Sequence, residues 1–234
     1  MIGSPRVHHR LTDSTNQRAK ELADAGATHG TVVTADEQTA GRGRQGRSWV
    51  APPGSAVLLS VVVRDLDSMT MLPLAAALAV CDAAEACAPV HCAIKWPNDV
   101  WVERRKLSGI LVEGRPAAGW AVVGIGLNVL TPREAFPPEL QDTATSLVAA
   151  SGRATATPPV LAALLAALGR WLRAEPAEVV AAWRERDALT GERIRWGDGE
   201  GVAAGIDDAG SLLVDTDSGR VALGAGEVHL QRIE

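Results

Sequence analysis

The stretch KWPNDVWVERRKLSGILVEG occupies residues 95–114 and consists of short apolar runs separated by polar residues. Its β-branched and aromatic residues, with those just before it, predict strands over residues 93–96, 100–103 and 107–113. The polar sequence ERRK between the last two predicts a turn that folds them into a hairpin. Pro97 cannot donate to a strand ladder, so the first strand is expected to break there.

That break matters because side chains alternate between the two faces of a strand. Lys95, Asn98 and Asp99 can therefore point into one site only if the strand stops at Pro97. A simpler interpretation is a turn at the strand end, in which Asn98 and Asp99 bind no ligand.

Lysine is rare in this chain, which has three lysines and twenty arginines. Two of the three, Lys95 and Lys106, lie in the stretch above. An ammonium is a compact point charge on a flexible stem, whereas a guanidinium is a broad planar fork. A site that places one charge between a carboxylate and a phosphate can require lysine, although two lysines can also lie close together by chance.

A second segment alternates glycine with arginine: ADEQTAGRGRQGRSWVAPPGS at 35–55. Glycine lets a backbone approach an anion closely, and arginine offers two parallel donors to phosphate or carboxylate oxygens. The segment fits neither GxxxxGK[ST] nor a GxGxxG that opens a helix, because Trp49 and two prolines follow. It predicts an anion-binding loop, with a flexible RNA-binding tract as the alternative.

Taken in order, these segments resemble the biotin-protein ligases, which activate biotin with ATP and attach it to a lysine of a carboxylase carrier domain. The motifs that carry the resemblance are DSTN at 13–16, GRGRQGR at 41–47, KWPND at 95–99, KLSGILVE at 106–113 and GIGLN at 124–128. The resemblance implies an α+β fold: a catalytic domain like that of class II aminoacyl-tRNA synthetases, with a mixed, largely antiparallel sheet and helices, followed by an SH3-like β-barrel.

The resemblance also implies roles for individual residues. Lys106, Arg42 and Arg44 would be catalytic, Lys106 bridging the biotin carboxylate and the α-phosphate of ATP. Asp99 would help to hold Mg²⁺, and Gly109 would leave space for the ligand. The implied biotin-binding residues are Ser14, Thr15, Asn16, Gln38, Gly41, Arg42, Gly43, Arg44, Lys106 and Gly109. The implied ATP-binding residues are Arg44, Arg47, Trp49, Lys95, Asn98, Asp99, Lys106 and Asn128.

Two other functions remain open. A lipoate- or octanoate-protein ligase of the same fold is one, but the RRxxGGGxVxHD signature of lipoate-protein ligases is absent. A nucleic-acid-binding module without enzymatic activity is the other, and the net charge of −5 argues against general nucleic-acid binding.

The rest of the chain predicts both helices and strands. A helix is expected from about residue 16 to 25, with Asp13 or Ser14 as its cap, and another from 69 to 87 with Pro73 in its first turn. Two helices are expected within 157–188, with Trp171 and Trp183 in the core. The remaining predicted elements are strands over 31–35, 56–64 and 120–129, and four or five short strands from about residue 190. The expected domains are 1–188, catalytic, and 189–234, a small barrel.

Three expectations concern the context of the protein. The three cysteines lack CxxC spacing and predict buried, reduced thiols, and the histidines form no recognisable metal pattern. The amino terminus lacks a signal-peptide core and the apolar run 72–81 is too short for a bilayer, which predicts a cytoplasmic protein. DSTN begins at residue 13, so a ligase without a repressor domain is expected, acting on a biotin carboxyl carrier domain either as a monomer or as a homodimer formed along a sheet edge.

Overall fold

The computed structural model describes residues 1–64, 69–197, 199–224, 226 and 228–230. In that part of the chain the first sheet has seven strands, in the order β1-β2-β3-β7-β6-β5-β4. β1 pairs with β2 in parallel, and the other neighbours are antiparallel. The strands are β1 (Arg6–Thr12), β2 (Val32–Gln38), β3 (Ala56–Val63), β4 (Cys92–Lys95), β5 (Asp99–Val102), β6 (Arg105–Arg115) and β7 (Trp120–Asn128).

Helices cover both faces of this sheet. The first helix of the chain, which begins at residue 15, packs against β2, β3 and β7 through buried alanines. The longest helix, which begins at residue 72, packs on the opposite face, and the helix that begins at residue 157 packs against it. Every residue of β3 is buried because both faces of that strand are covered. The helices are α1 (Thr15–Asp24), α2 (Leu72–Cys87), α3 (Leu147–Ser151), α4 (Thr157–Trp171) and α5 (Pro176–Arg184).

The second sheet follows α5 and is antiparallel, in the order β11-β10-β9-β8-β12. The turn between its second and third strands docks on the first part of the chain, where Trp96 Nε1 donates a 3.0 Å hydrogen bond to the carbonyl of Gly210. The two sheets thus share one apolar core. The strands are β8 (Arg193–Trp196), β9 (Gly199–Ile206), β10 (Leu212–Thr216), β11 (Gly219–Leu223) and β12 (His229–Leu230).

Most of the predicted elements are confirmed, including the break at Pro97 between β4 and β5 and the burial of Trp171 and Trp183. The cap of α1 differs in detail. Ser14 is the N-cap residue, but its side chain makes no capping hydrogen bond. Cys81 and Cys92 are buried free thiols as expected, whereas Cys87 is only partly buried.

Two elements were not predicted from the sequence, β1 and α3. β1 is an edge strand with mostly exposed residues, so its sequence RVHHRLT shows no alternation between apolar and polar positions. α3 is five residues long, too short for a periodic pattern.

One helical segment of the described residues, Met69–Cys87, has the length and apolar composition of a membrane span. It is longer than the uninterrupted apolar run 72–81, because its end also contains four apolar residues among Asp82 and Glu85. This segment is 67% buried inside the protein, as expected for the core helix that it forms here.

Candidate active site

A cleft of about 1040 Å³ lies over β6 and β7, bordered by the amino end of α1, the glycine-arginine loop and the second sheet. Fifteen of the sixteen predicted site residues line it. The exception is Gly41, which lines an adjoining cavity of about 660 Å³ on the other side of the loop. The fold therefore brings together motifs that are more than 100 residues apart in sequence.

Two glycines of β7 create the space for this cleft. Gly124 and Gly126 point to the same face, as residues i and i+2 of a strand do. A Cβ at Gly124 would lie 2.0 Å from Asn16 Oδ1, and one at Gly126 would lie 2.3 Å from a ring atom of Trp49. The glycine spacing of GIGLN thus allows Asn16 and Trp49 to rest directly on the strand.

At Gly124 lies a group of uncharged polar side chains, which we call the neutral end: Thr15, Asn16 and Gln38, which line the cleft, and Ser60, which is fully buried next to them. Gln38 Oε1 accepts from the backbone N–H of Thr15 at 2.7 Å and from its hydroxyl at 3.1 Å. Ser60 Oγ lies 2.8 Å from Thr15 Oγ1 and 2.6 Å from Asn16 Oδ1. Thr15, Asn16 and Ser60 are buried, so this network fixes their orientation before any ligand arrives.

Behind the neutral end lies one carboxylate with several donors. Glu113 Oε2 accepts from Asn16 Nδ2 at 2.8 Å, and its Oε1 accepts from Lys20 Nζ at 2.7 Å. Arg42 is 3.6 Å from the same Oε1 and also donates to Gln17 at 2.8 Å. Burial alone would raise the pKa of Glu113, but the hydrogen bonds from Lys20 and Asn16 outweigh it and lower the pKa below its ordinary value.

The other region, next to Gly126, carries charges; we call it the charged end: Trp49, Lys95, Asp99 and Lys106. Lys106 Nζ lies 2.7 Å from Asp99 Oδ1, within ion-pair distance, and 5.8 Å from the centre of the Trp49 ring. Lys95 Nζ lies 5.5 Å from the centre of the Trp101 ring. Gly109, predicted to leave space, would bring a Cβ within 3.2 Å of Lys106 Nζ.

Unsatisfied polar atoms concentrate at the charged end. Within the described residues, the buried side-chain nitrogen and oxygen atoms without a hydrogen-bond partner are Trp49 Nε1, Asp99 Oδ1 and Trp183 Nε1. Lys106 is close to Asp99 Oδ1, but not in the orientation of a hydrogen bond. Such atoms are costly to bury, so two of them in one cleft indicate that a ligand completes their partners.

Arg44 connects the loop to both sheets. Its guanidinium donates to Asn98 Oδ1 at 2.9 Å and to the carbonyl of Gly226 at 2.7 Å, so it reaches the segment before β12. Asn98 is held in turn, because its Nδ2 donates to the carbonyl of Ile110 at 2.9 Å. Arg44 thus stands between the charged end and the second sheet.

These features fit the results of comparison with known proteins. Residues 8–129 match the Biotin/lipoate A/B protein ligase family, and residues 191–230 match the Biotin protein ligase C terminal domain. The chain belongs to the biotin/lipoate A/B protein ligase family. The resemblance to biotin-protein ligases seen in the sequence is thereby confirmed.

Individual family members align over most of their length. The Biotin--[acetyl-CoA-carboxylase] ligase of Mycobacterium tuberculosis is 38% identical, over 94% of this chain and 87% of that protein. The corresponding ligase of Paracoccus denitrificans is 38% identical, over 93% of this chain and 97% of that protein. The solved structure of the biotin protein ligase from Aquifex aeolicus in complex with biotin and ATP has a TM-score of 0.87 and 30% identity, covering 98% of this chain and 100% of that one.

The predicted fold class is confirmed by this structural match to a ligase of the family and by the second sheet. The chain has the mixed sheet with helices, consistent with the class II synthetase-like fold, and the small β domain after it. The roles assigned to individual residues of the cleft stay predictions.

Several side chains near the ligase cleft were not singled out from the sequence. Ser60, in the middle of an apolar strand, and Gln17, a partly buried residue of α1, carry no local signal. Two others did carry a signal: Lys20 is the remaining one of the three lysines of the chain, and Glu113 is the last residue of the KLSGILVE motif. The residues at the far wall, Phe136 and Leu140, lie in a segment with prolines at positions 132, 137 and 138 that shows no recognisable pattern.

Asn128, predicted to serve the nucleotide, lines the cleft but is buried, and its Nδ2 donates to the carbonyl of Thr145 at 3.0 Å. Its amide therefore also ties the end of β7 to the segment before α3. No group of three or more histidine, cysteine or acidic side chains close enough to hold a metal occurs among the described residues.

Proposed function

We propose that this chain is a biotin-protein ligase. It activates biotin with ATP to form biotinyl-5'-AMP and pyrophosphate, and then transfers biotin to a lysine of a biotin carboxyl carrier domain with release of AMP. The observation that carries the proposal is that one cleft contains both a pre-assembled neutral end and a charged end in which two buried atoms, Trp49 Nε1 and Asp99 Oδ1, lack hydrogen-bond partners. The names of the relatives, which are biotin ligases, support the same substrates.

In this proposal the two ends divide the substrates between them. Biotin lies on the neutral end, with its carboxylate directed toward Lys106, and the nucleotide lies on the charged end. The biotin-binding residues are Ser14, Thr15, Asn16, Gln38, Gly41, Arg42, Gly43, Arg44, Lys106 and Gly109. The ATP-binding residues are Arg44, Arg47, Trp49, Lys95, Asn98, Asp99, Lys106 and Asn128.

The first reaction joins two anions. An oxygen of the biotin carboxylate attacks the α-phosphorus of ATP, and the bond to the β-phosphate breaks as pyrophosphate leaves. Cations near the carboxylate and the phosphates reduce their repulsion, most effectively where charge builds up in the transition state. Lys106, Arg42 and Arg44 are the catalytic residues of the proposal because they surround the place where these groups meet.

Mg²⁺ commonly binds through one or two protein carboxylates together with substrate phosphates. Asp99 fits that requirement, because its Oδ1 is buried without a hydrogen-bond partner at the charged end. When bound there, Mg²⁺ would neutralise phosphate charge. One carboxylate fits a metal that arrives with the nucleotide better than a metal held by the protein alone.

In the second reaction the amine of the carrier lysine attacks the acyl carbonyl of biotinyl-AMP. The C–N bond forms, the bond to the phosphate oxygen breaks, AMP leaves and the amine loses a proton. Water competes with this amine, so the glycine-arginine loop has to cover the intermediate as well as bind it. The backbone hydrogen bonds Gly43 N to Arg47 O at 2.7 Å and Trp49 N to Gly41 O at 2.9 Å support a compact loop above the cleft.

We also propose that the domains are residues 1–188 and 189–234. The separate second sheet and the family match over 191–230 support this division. The contact of Arg44 with Gly226 suggests that the second domain contributes to the charged end. The cytoplasmic location stays a prediction, and the monomer and the homodimer both stay open.

The test is to measure release of pyrophosphate and AMP with ATP and Mg²⁺, using biotin, lipoate and octanoate in parallel, with and without a biotin carboxyl carrier domain. We expect biotin-dependent pyrophosphate release and AMP release only when the carrier is added. Turnover with lipoate instead of biotin would assign this chain to the lipoate-protein ligases of the family. Folded protein that turns over none of the three acids would overturn the proposal.

A further inference from the structure

Glu113 lies outside the main cleft but is connected to two of its walls. Its carboxylate accepts from Asn16 at 2.8 Å and from Lys20 at 2.7 Å, and it lies 3.6 Å from the guanidinium of Arg42. Asn16 belongs to α1, Arg42 belongs to the loop and Glu113 belongs to β6. One carboxylate therefore joins three separate elements around the neutral end.

The contact with Asn16 fixes the orientation of an amide. Asn16 Nδ2 donates to Glu113 and to the carbonyl of Leu111 at 3.3 Å, so the two hydrogens of that nitrogen have acceptors. Asn16 Oδ1 is then left facing Ser60, which lies at 2.6 Å. If Glu113 could not accept, the amide could rotate, and the hydrogen-bond order of Asn16, Ser60, Thr15 and Gln38 would no longer be unique.

The contact between Glu113 and Arg42 links β6 to the glycine-arginine loop. Arg42 is the first arginine of GRGRQGR, and its side chain is 38% exposed. Among the described residues its side chain contacts Gln17 at 2.8 Å and Glu113 at 3.6 Å, which hold it near α1. Lys20 contributes a second positive charge on Glu113, which favours the ionised carboxylate.

We propose that Glu113 is a positioning residue for biotin binding, which rests on the function proposed above. Its carboxylate sets the amide orientation of Asn16 and the place of Arg42, and Lys20 holds that carboxylate in position. Glu113 itself does not touch the substrate. Loss of its charge should therefore weaken the binding of biotin and, through Arg42, slow the chemical step, while the binding of the nucleotide is affected little.

The experiment compares Glu113→Gln with a matched control, Glu85→Gln. Glu85 is a carboxylate of the same exposure, 26% for both side chains, and it is held by Arg186 at 2.7 and 2.9 Å. It lies on α2, against the opposite face of the sheet. Both variants lose a paired charge, but only in the first does one remaining acceptor oxygen have to serve both Asn16 of the neutral end and Lys20.

We expect Glu113→Gln to raise the KM for biotin about tenfold, the effect of about one charge-assisted hydrogen bond, while the KM for ATP changes less than about threefold. Biotin affinity measured by calorimetry without ATP should fall in parallel. Glu85→Gln should lower the melting temperature and leave the KM for biotin unchanged. Lys20→Met should raise the KM for biotin by a smaller factor. It replaces Glu113→Gln as the test variant if Glu113→Gln does not fold.

An unchanged KM for biotin in folded Glu113→Gln, or an equal change in Glu85→Gln, would overturn the positioning role. Absence of biotin turnover in the unmodified protein would count against the proposed function instead. The two failures are therefore distinguishable in one set of assays.

Discussion

The neutral end and the charged end of the cleft lie side by side on β7, yet they differ in how their polar atoms are satisfied. At the neutral end, Thr15, Asn16 and Ser60 are buried and bonded to one another. At the charged end, Trp49 and Asp99 each keep a buried atom without a hydrogen-bond partner. The difference indicates that one end is shaped before the ligand arrives and that the other is completed by the ligand.

The largest effect is expected at the charged end, from Lys106→Arg. The ammonium of Lys106 sits between Asp99, the Trp49 ring and the backbone of Gly109, a space that a planar guanidinium fits poorly. Although the charge is retained, we expect biotin-dependent pyrophosphate release to fall about 100-fold or more, as on removal of one transition-state donor. An unchanged melting temperature is the control, and near-normal adenylation would refute the requirement for a point charge.

A pair of glycine substitutions on β7 compares the two ends directly. The methyl group of Gly124→Ala would collide with Asn16, whose amide is held by Ser60, Leu111 and Glu113. Because this network cannot move aside, we expect a loss of about 1–3 kcal/mol in the free energy of unfolding, measured by denaturant titration.

Gly126→Ala should behave differently. Its methyl group meets the ring of Trp49, which belongs to a loop and is only partly buried. The ring can move, so we expect a smaller loss of stability and a higher KM for ATP. Equal losses of stability in the two variants would contradict the distinction between a fixed end and an adaptable one.

A smaller effect concerns the loop over residues 40–54. Its arginines bind acceptors that anions can replace, such as Asn98 and the carbonyl of Gly226 for Arg44. We expect amide hydrogen exchange across these residues to slow about tenfold when biotinyl-AMP is bound, because the loop orders over the intermediate. Exchange at Thr15 and Asn16 should change little, and identical exchange of the loop with and without ligand would contradict the prediction.

Sequence reasoning was most successful where a local pattern has one structural meaning. Glycine spacing, the break at Pro97 and the apolar runs located the cleft and its neighbouring strands. The same reasoning placed Arg42 and Arg44 together among the catalytic and biotin-binding residues and gave no structural partner for either, whereas Arg42 pairs with Gln17 and Glu113 and Arg44 reaches Gly226. Which arginine faces which element depends on contacts between residues far apart in sequence.

Ser60 illustrates a second limit. It is one hydroxyl in the apolar strand AVLLSVVV, and the sequence alone cannot distinguish it from a chance polar residue. Its role becomes visible only when β3 pairs with β7 and places Ser60 beside Gly124, under Asn16. β1 was missed for the opposite reason, because an exposed edge strand does not need an apolar face.

The smallest effect is expected from Asp13, which precedes the neutral end. The hydrogen bond from Arg18 lowers the pKa of Asp13 to about 2, with a further contribution from the N–H of Ser14. A lowered folded-state pKa stabilises the protein above the unfolded value near 4 and loses that contribution as the pH falls toward 2. Because the Asp13 side chain is 43% exposed, the contribution should stay below about 1 kcal/mol.

Asp13→Asn should therefore be slightly less stable than the unmodified protein at pH 6, and the difference should vanish as the pH approaches 2. Unfolding titrations at several pH values measure it, and Arg18→Gln with the double variant shows whether the pair is responsible. A difference independent of pH would mean that the carboxylate charge does not stabilise the start of α1. In that case the neutral end is held by its uncharged hydrogen bonds alone, which would sharpen its contrast with the charged end.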